Sequence, residues 1–210
     1  DMVKYKGNWH DFTVNLSYAM GGVAGHNSYG DQTGAAINYG ENGPFSVSVA
    51  YLQSSDPKNG SKGKAWSLGG GYTLDQTRFS FGYITNRLDP SFSSFGIYSA
   101  AALKAIKYTD FASRQMFFGG VSQTFGRIYL SANFWRTLQT GKTSAQNGNA
   151  TQWEIIADYS LSRRTSVYAE LDHSQYSGGL IGAQLQDAKG MPLPNTTHQL
   201  GAMVGVRHRF

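Results

Sequence analysis

Four carboxylates have the residue type and the grouping that a catalytic pair requires. Glu154 and Asp158 occur in TQWEIIADYSL, and Glu170 and Asp172 in TSVYAELD. Paired Asp and Glu side chains hydrolyse glycosides when the two carboxyl groups flank the scissile bond. Both segments alternate apolar and polar residues, however, and all four carboxylates fall on the polar side of that alternation. A water-facing wall is the simpler role for them.

The stretch QTGKTS ends like a phosphate-binding loop, with Gly141, Lys142 and Thr143 in order. A complete loop of that kind has a second glycine five positions before Gly141, where this chain has Arg136. The stretch also follows an amphipathic segment and is not followed by a helical pattern. The sequence therefore does not predict a nucleotide site.

The histidines are dispersed over turns, loops and strand ends: His10, His26, His173, His198 and His208. No two of them have the helical spacing of a zinc site, and the chain contains no cysteine, which removes thiolate ligands, thiol nucleophiles and disulfides. A serine hydrolase using His173 or His198 is conceivable, but nothing marks a nucleophile. We predict no catalytic, metal or cofactor site.

The net charge of +5 and the pI near 9.3 raise the question of a nucleic-acid partner. Lys and Arg form no stripe or cluster, so no nucleic-acid partner is expected.

No stretch approaches the about 18 consecutive apolar residues of a membrane helix. The mean hydropathy of −0.38 nevertheless permits a membrane barrel, because only every second residue of a transmembrane strand faces lipid.

Apolar and polar residues alternate in twos over most of the chain, which predicts β-strands. In FTVNLSYAM, Phe12, Val14 and Leu16 occupy one face, and Thr13 and Asn15 occupy the other. The pattern recurs in FSVSVAY, AWSLGGGYTL, RFSFGYITN, IYLSANF and the terminal GVRHRF, and predicts about eleven strands. In RQMFFGGVSQTF both faces are apolar in part, so the sequence does not decide which of its two faces points to lipid.

The connections between these strands alternate in length. GNWHD, ENGP, DQT, GR and SRR are short, whereas GVAGHNSYGDQ, SSDPKNGSKGK, residues 88–113, QTGKTSAQNGNA and residues 177–197 are long. Short turns at one rim and long loops at the other are typical of outer-membrane barrels, whose closed sheets leave no backbone group unpaired in lipid. We predict an all-β, antiparallel transmembrane barrel, with residues 1–210 forming a single domain.

A membrane barrel carries a ring of aromatic residues at each interface. With GNWHD at the periplasmic rim, the lower ring comprises Phe12, Phe45, Tyr72, Phe79 and Tyr159, and the upper ring Tyr18, Tyr51, Trp66, Tyr83 and Trp153. The residues expected to face lipid include Phe12, Val14, Leu16, Phe79, Phe81, Leu130 and Val204.

Several segments resemble general Gram-negative porins of the betaproteobacterial type: MVKYKGNWHDFTVNLSYAMGGVAG, ENGPFSVSVAYLQ, ANFWRT and GVRHRF. The resemblance extends over essentially the whole chain. It implies a homotrimer in outer-membrane lipid, whose sixteen-stranded barrels admit small hydrophilic solutes and ions, with no reaction and no cofactor. It also implies that the terminal Phe210 is recognised by the barrel-assembly machinery.

Eleven strands fall short of the sixteen that the resemblance implies. At about 19 residues per strand, sixteen strands require about 305 residues, so about 95 are absent. We expect the C-terminal portion of a porin, starting near its sixth strand and forming an open sheet. The loop that narrows the pore in the family would be missing, so constriction residues are not assigned.

On this interpretation nine charged residues line the pore: Lys4, Lys6, Arg78, Glu154, Asp158, Glu170, Asp172, Arg207 and Arg209. Two alternatives stay open. One is a smaller closed outer-membrane barrel that acts as an adhesin or enzyme through its loops. The other is a soluble β-sandwich or lipocalin-like binder.

Overall fold

The computed structural model describes residues 2–40, 43–93, 111–181 and 195–209, and Phe210, the predicted assembly signal, lies outside them. The strands are β1 Met2–Trp9, β2 Phe12–Ala19, β3 Gln32–Tyr39, β4 Phe45–Ser55, β5 Lys62–Leu74, β6 Thr77–Leu88, β7 Phe111–Phe125, β8 Ile128–Gly141, β9 Gly148–Ser160, β10 Thr165–Gly178 and β11 His198–His208. A 3-10 helix, Ser144–Gln146, lies between β8 and β9. No helix in the described ranges has the length and apolar character needed to cross a membrane.

The strands form one sheet in which every strand pairs with its neighbour in sequence. The order runs from β1 to β11 without a crossover, and all ten pairs are antiparallel. Within the described residues β1 does not pair with β11. The predicted all-β, antiparallel and open sheet is confirmed.

Tight turns join the strands at one rim of the sheet. The β1–β2 and β5–β6 connections have two residues each, and the first residue of each turn, His10 or Asp75, has a φ of 52°. Gly126 begins the two-residue β7–β8 turn with a φ of 60°. A positive φ at the first turn position matches the twist of the flanking strands. The connections at the other rim are all longer, so the predicted alternation of turn lengths is confirmed.

The strand register keeps the two faces of the sheet distinct from β1 to β11. Residues opposite one another in an antiparallel pair point to the same side. Phe12 lies opposite both Trp9 and Tyr39, whereas Asn15 on the other side lies opposite Lys6. The same phase continues through each later pair to β11. We call the Phe12 side the apolar face and the Asn15 side the polar face.

The apolar face is exposed rather than packed in a core. All seven residues predicted to face lipid lie on it: Phe12, Val14, Leu16, Phe79, Phe81, Leu130 and Val204. The exposed fractions reach 50% for Phe79 and 83% for Val204. A soluble sandwich packs its apolar face against a second sheet, and here a single sheet leaves that face open. The β-sandwich alternative is therefore not supported.

Buried apolar side chains gather at the rim with the long connections. Leu88, Phe92 and Phe111 form a cluster there. Close to it, the fully buried carboxylate of Asp56 accepts hydrogen bonds from the backbone N–H groups of Lys58, at 2.8 Å, and Ser93, at 2.7 Å. These contacts join the β4–β5 connection to the segment after β6, and so hold two of the long connections together.

Candidate functional site

The nine charged residues predicted to line the pore all fall on the polar side of the strand alternation. Lys4 and Lys6 lie on β1, Arg78 on β6, and four carboxylates on β9 and β10. Arg207 ends the set on β11, and Arg209 follows that strand, its backbone N–H donating to the carbonyl of Arg164 at 2.8 Å. The structure gathers the charges of β9 to β11 on adjacent strands and leaves those of β1 and β6 apart from them.

Acidic residues form a strip on β9 and β10. Glu154 lies directly opposite Asp172, and the Glu154 carboxylate accepts a hydrogen bond from the Asn133 amide at 3.0 Å. Nearer the short-turn rim, Asp158 accepts from the Ser166 hydroxyl at 3.1 Å, and its carboxylate lies 3.7 Å from the Arg207 guanidinium. Since the Arg207 side chain is 57% exposed, this ion pair contributes about 1 kcal/mol at most.

Arg78 lies flat against the wall formed by β4, β5 and β6. Its guanidinium donates to the hydroxyls of Thr73 and Ser46, each at 3.1 Å. Gly71 lies beneath it, and a Cβ at that position would come within 2.7 Å of the guanidinium. A glycine therefore lets this long side chain lie along the sheet rather than stand out from it, which the sequence pattern did not reveal.

The apolar face carries aromatic contacts at two levels. Near the short-turn rim, the Phe12 ring lies 4.9 Å from the Tyr39 ring and 6.2 Å from the Trp9 ring. Towards the other rim, the Tyr51 and Trp66 rings are 4.4 Å apart. Further contacts at this upper level are Tyr83 with Phe117 and Trp153 with His173. Two levels of rings are the arrangement that membrane interfaces favour.

One part of the polar face carries several large apolar side chains. Met116 and Phe118, in the strand of ambiguous phase, point to this face, and Phe117 between them points to the other. A hollow of about 370 Å³ lies here, at the long-connection end of β6 to β10, and is lined by Ile84, Met116 and Trp135 together with polar side chains such as Gln152. The alternation in the sequence did not predict this hollow, because both faces of β7 carry apolar residues.

A second hollow, of about 390 Å³, lies on the polar face near the short-turn rim. Asp158 and four arginines line it: Arg163, Arg164, Arg207 and Arg209. The sequence had singled out Arg207 and Arg209 but not the two arginines of the β9–β10 turn. Because arginine side chains stay protonated, this end of the face is strongly basic.

Comparison with known proteins identifies the family. A family model described as Gram-negative porin matches residues 1–179. The chain belongs to the Gram-negative porin family. Membership confirms the resemblance, the barrel fold class and the outer-membrane location predicted from the strand pattern. A search of curated protein sequences gave no match.

Solved porin structures share the fold. The anion-selective porin from Comamonas acidovorans is 21% identical, with a TM-score of 0.71, over 100% of this chain and 59% of its own. The trimer form of OmpT from Vibrio cholerae is 13% identical, with a TM-score of 0.66, over 99% of this chain and 64% of its own. Salmonella typhi OmpF, solved with daunomycin, is 12% identical, with a TM-score of 0.65, over 98% of this chain and 61% of its own. The chain thus spans about three fifths of each.

The described residues contain no group of three or more His, Asp or Glu side chains arranged to hold a metal ion. The histidine rings of His173 and His198 do approach one another, with centroids 6.5 Å apart. Both occupy the phase of the apolar face, where they lie beside Trp153 and Leu200. Their position is that of residues in the ring of aromatic side chains at a membrane interface.

Proposed function

We propose that the complete protein is a general diffusion pore of the outer membrane, with no catalytic reaction and no cofactor. The observation that supports this function is the register, which keeps one apolar and one polar face in phase over eleven antiparallel strands of a porin-family chain. When such a sheet closes, the polar face surrounds water. Small hydrophilic solutes and ions then cross without losing their hydration.

Nine charged residues in the phase of the polar face line this pore in the proposal: Lys4, Lys6, Arg78, Glu154, Asp158, Glu170, Asp172, Arg207 and Arg209. The acidic strip lies on β9 and β10, and the arginines of the basic hollow lie on the turn between them and at the end of β11, so the two opposite charges are close together and their fields oppose each other. Charges separated by more than about 8 Å are largely screened at physiological salt. We therefore expect weak selectivity, with a preference for anions because the net charge is +5.

The chain forms one barrel domain in the proposal, as the C-terminal portion of a sixteen-stranded barrel. Its two edge strands, β1 and β11, then pair with strands that this chain does not contain. We also propose a homotrimer in outer-membrane lipid, supported by the trimer form of the Vibrio cholerae OmpT neighbour. Phe210 would be the residue that the barrel-assembly machinery recognises.

The proposal is tested by reconstituting the complete protein in planar lipid bilayers. We expect stable single-channel conductance in KCl and equilibration of small uncharged sugars across proteoliposomes. Heat-denatured protein at the same concentration provides the control for leakage. Absence of both conductance and sugar flux from correctly folded protein would refute a diffusion pore and favour the alternative of a barrel that acts through its loops.

A further inference from the structure

The hollow beside Trp135 carries large apolar side chains among its polar ones, and so departs from the alternation that governs the rest of the polar face. Ile84 lies opposite Met116, and Phe118 lies opposite Trp135, so four large side chains occupy adjacent positions on three strands. Tyr176 adds a fifth from β10. Single apolar residues on a wet surface are ordinary, but grouped ones mark a binding surface. Porin interiors are otherwise polar.

The hollow has the size of a small-molecule site. Its volume of about 370 Å³ lies within the range of ligand pockets, about 300 to 1,000 Å³. The Trp135 ring lines it and lies against the Phe118 ring, with centroids 5.3 Å apart and an angle of 31° between the planes. This pairing holds the indole in place, so that a flat aromatic ligand meets an ordered surface.

Arg114 supplies charge at the same hollow. Its Nε donates to the Gln139 side-chain oxygen at 3.0 Å, and its guanidinium lies 4.4 Å from the centre of the Phe111 ring. The Gln139 amide in turn donates to the Gln146 carbonyl at 2.8 Å. Arg114 is the charged residue among the described residues that line the hollow, and an oriented guanidinium favours carboxylates.

We propose that this hollow is a weak binding site for small aromatic carboxylates on their way through the pore. The aromatic ring contacts Trp135 and Met116, and the carboxylate lies near Arg114. An aliphatic anion gains only the second contact, and an uncharged aromatic only the first. The inference rests on the proposed pore and specifies its solute class, since a weak site on the pore wall retains such solutes without trapping them.

Single-channel recording of the complete protein tests the proposal, with sodium benzoate as the probe. Benzoate is expected to interrupt the KCl current in a concentration-dependent manner, whereas acetate and benzyl alcohol at equal concentration do so much less. Trp135→Leu is expected to weaken the benzoate effect roughly 3- to 10-fold, as loss of ring stacking would. Arg114→Gln is expected to weaken it roughly 10-fold.

Phe134→Leu is the matched control, because Phe134 adjoins Trp135 on β8 and lies on the apolar face. It is expected to leave the benzoate effect unchanged. Equal effects of benzoate and acetate, or equal losses in Trp135→Leu and Phe134→Leu, would overturn the site while leaving the pore intact.

Equilibrium binding separates failure of the site from failure of the pore. Titrating benzoate into detergent-solubilised complete protein, by calorimetry, should give a binding signal that Trp135→Leu reduces and Phe134→Leu does not. If the protein conducts no ions but binds benzoate in this manner, the pore is refuted and the site stands. If it conducts ions but shows no such signal, the site is refuted.

Discussion

The two faces of the sheet are built on the same backbone but meet different requirements. On the apolar face, side chains such as Leu16 and Phe79 are exposed and need only an apolar surrounding. On the polar face, side chains have particular partners: Arg78 binds Thr73 and Ser46, and Asn133 binds Glu154. One face is therefore tolerant of exchange among apolar residues, and the other depends on individual geometry.

The polar face has a hollow at each end, and the two hollows have comparable volumes. The hollow near the short-turn rim is lined by arginines and Asp158. The hollow near the long-connection rim is lined by large apolar side chains such as Trp135, by uncharged polar ones such as Gln152, and by Arg114. β9 and β10 contribute to both. The comparison teaches that a single water-facing wall can present charge at one end and aromatic surface at the other.

The largest expected effect comes from placing a charge on the apolar face. Leu16→Arg should destabilise the membrane-inserted complete protein by roughly 2 to 4 kcal/mol, the cost of an arginine near the bilayer midplane. Urea titration of refolding into lipid vesicles measures it. Ser17→Arg, one residue away on the polar face, should cost far less. Equal losses in the two variants would break the distinction between the faces.

A smaller effect is expected from filling the space under Arg78. Gly71→Ala should cost about 1 kcal/mol, because the new Cβ displaces the guanidinium from its two hydrogen bonds. Gly69→Ala is the control on the same strand and face, since its Cβ would come no closer than 3.4 Å to any neighbour. The same urea titration applies, and a cost at Gly69 as large as at Gly71 would contradict a specific packing role.

The smallest expected effect concerns ion selectivity at the basic end. The double variant Arg207→Glu and Arg209→Glu should shift the permeability ratio of the complete protein towards cations, about twofold, since other wall charges remain and salt screens each one. Reversal potentials in a KCl gradient measure the ratio. Lys64→Glu with Arg87→Glu makes the same charge change on the apolar face and should shift it little. Strong cation selectivity in the parent, or no shift in the first variant, would remove both arginines from the pore lining.

Much of the fold could be predicted from the sequence, because period-two alternation and turn length are local properties of the chain. The strand order and the face of residues such as Leu130 followed from them. The open sheet followed from the strand count together with the resemblance to sixteen-stranded porins. The predicted charges also fell on the polar face, since parity alone decides a side in a regular strand. Their role as pore lining stays a prediction.

The parts that the sequence did not predict depend on contacts between strands. The hollow around Trp135 needs the register of β7 with β8, which brings Phe118 opposite Trp135. The role of Gly71 depends on the Arg78 side chain, which extends across β5 to Ser46. Glycine has no side chain, so its residue type does not indicate which neighbour it contacts. The alternation does not place Arg114 on the polar face, because its strand has apolar residues on both faces.

The nearest-neighbour strand order has a consequence for how the sheet assembles. Every pairing joins segments that are adjacent in sequence, so each hairpin closes only the connection between its own two strands. The entropy lost in closing such a connection rises only slowly with its length. Closing a barrel is the single step that must join strands far apart along a chain. We expect growth of the sheet to be fast and stepwise, with closure as the slow step that determines when the last exposed backbone groups leave water.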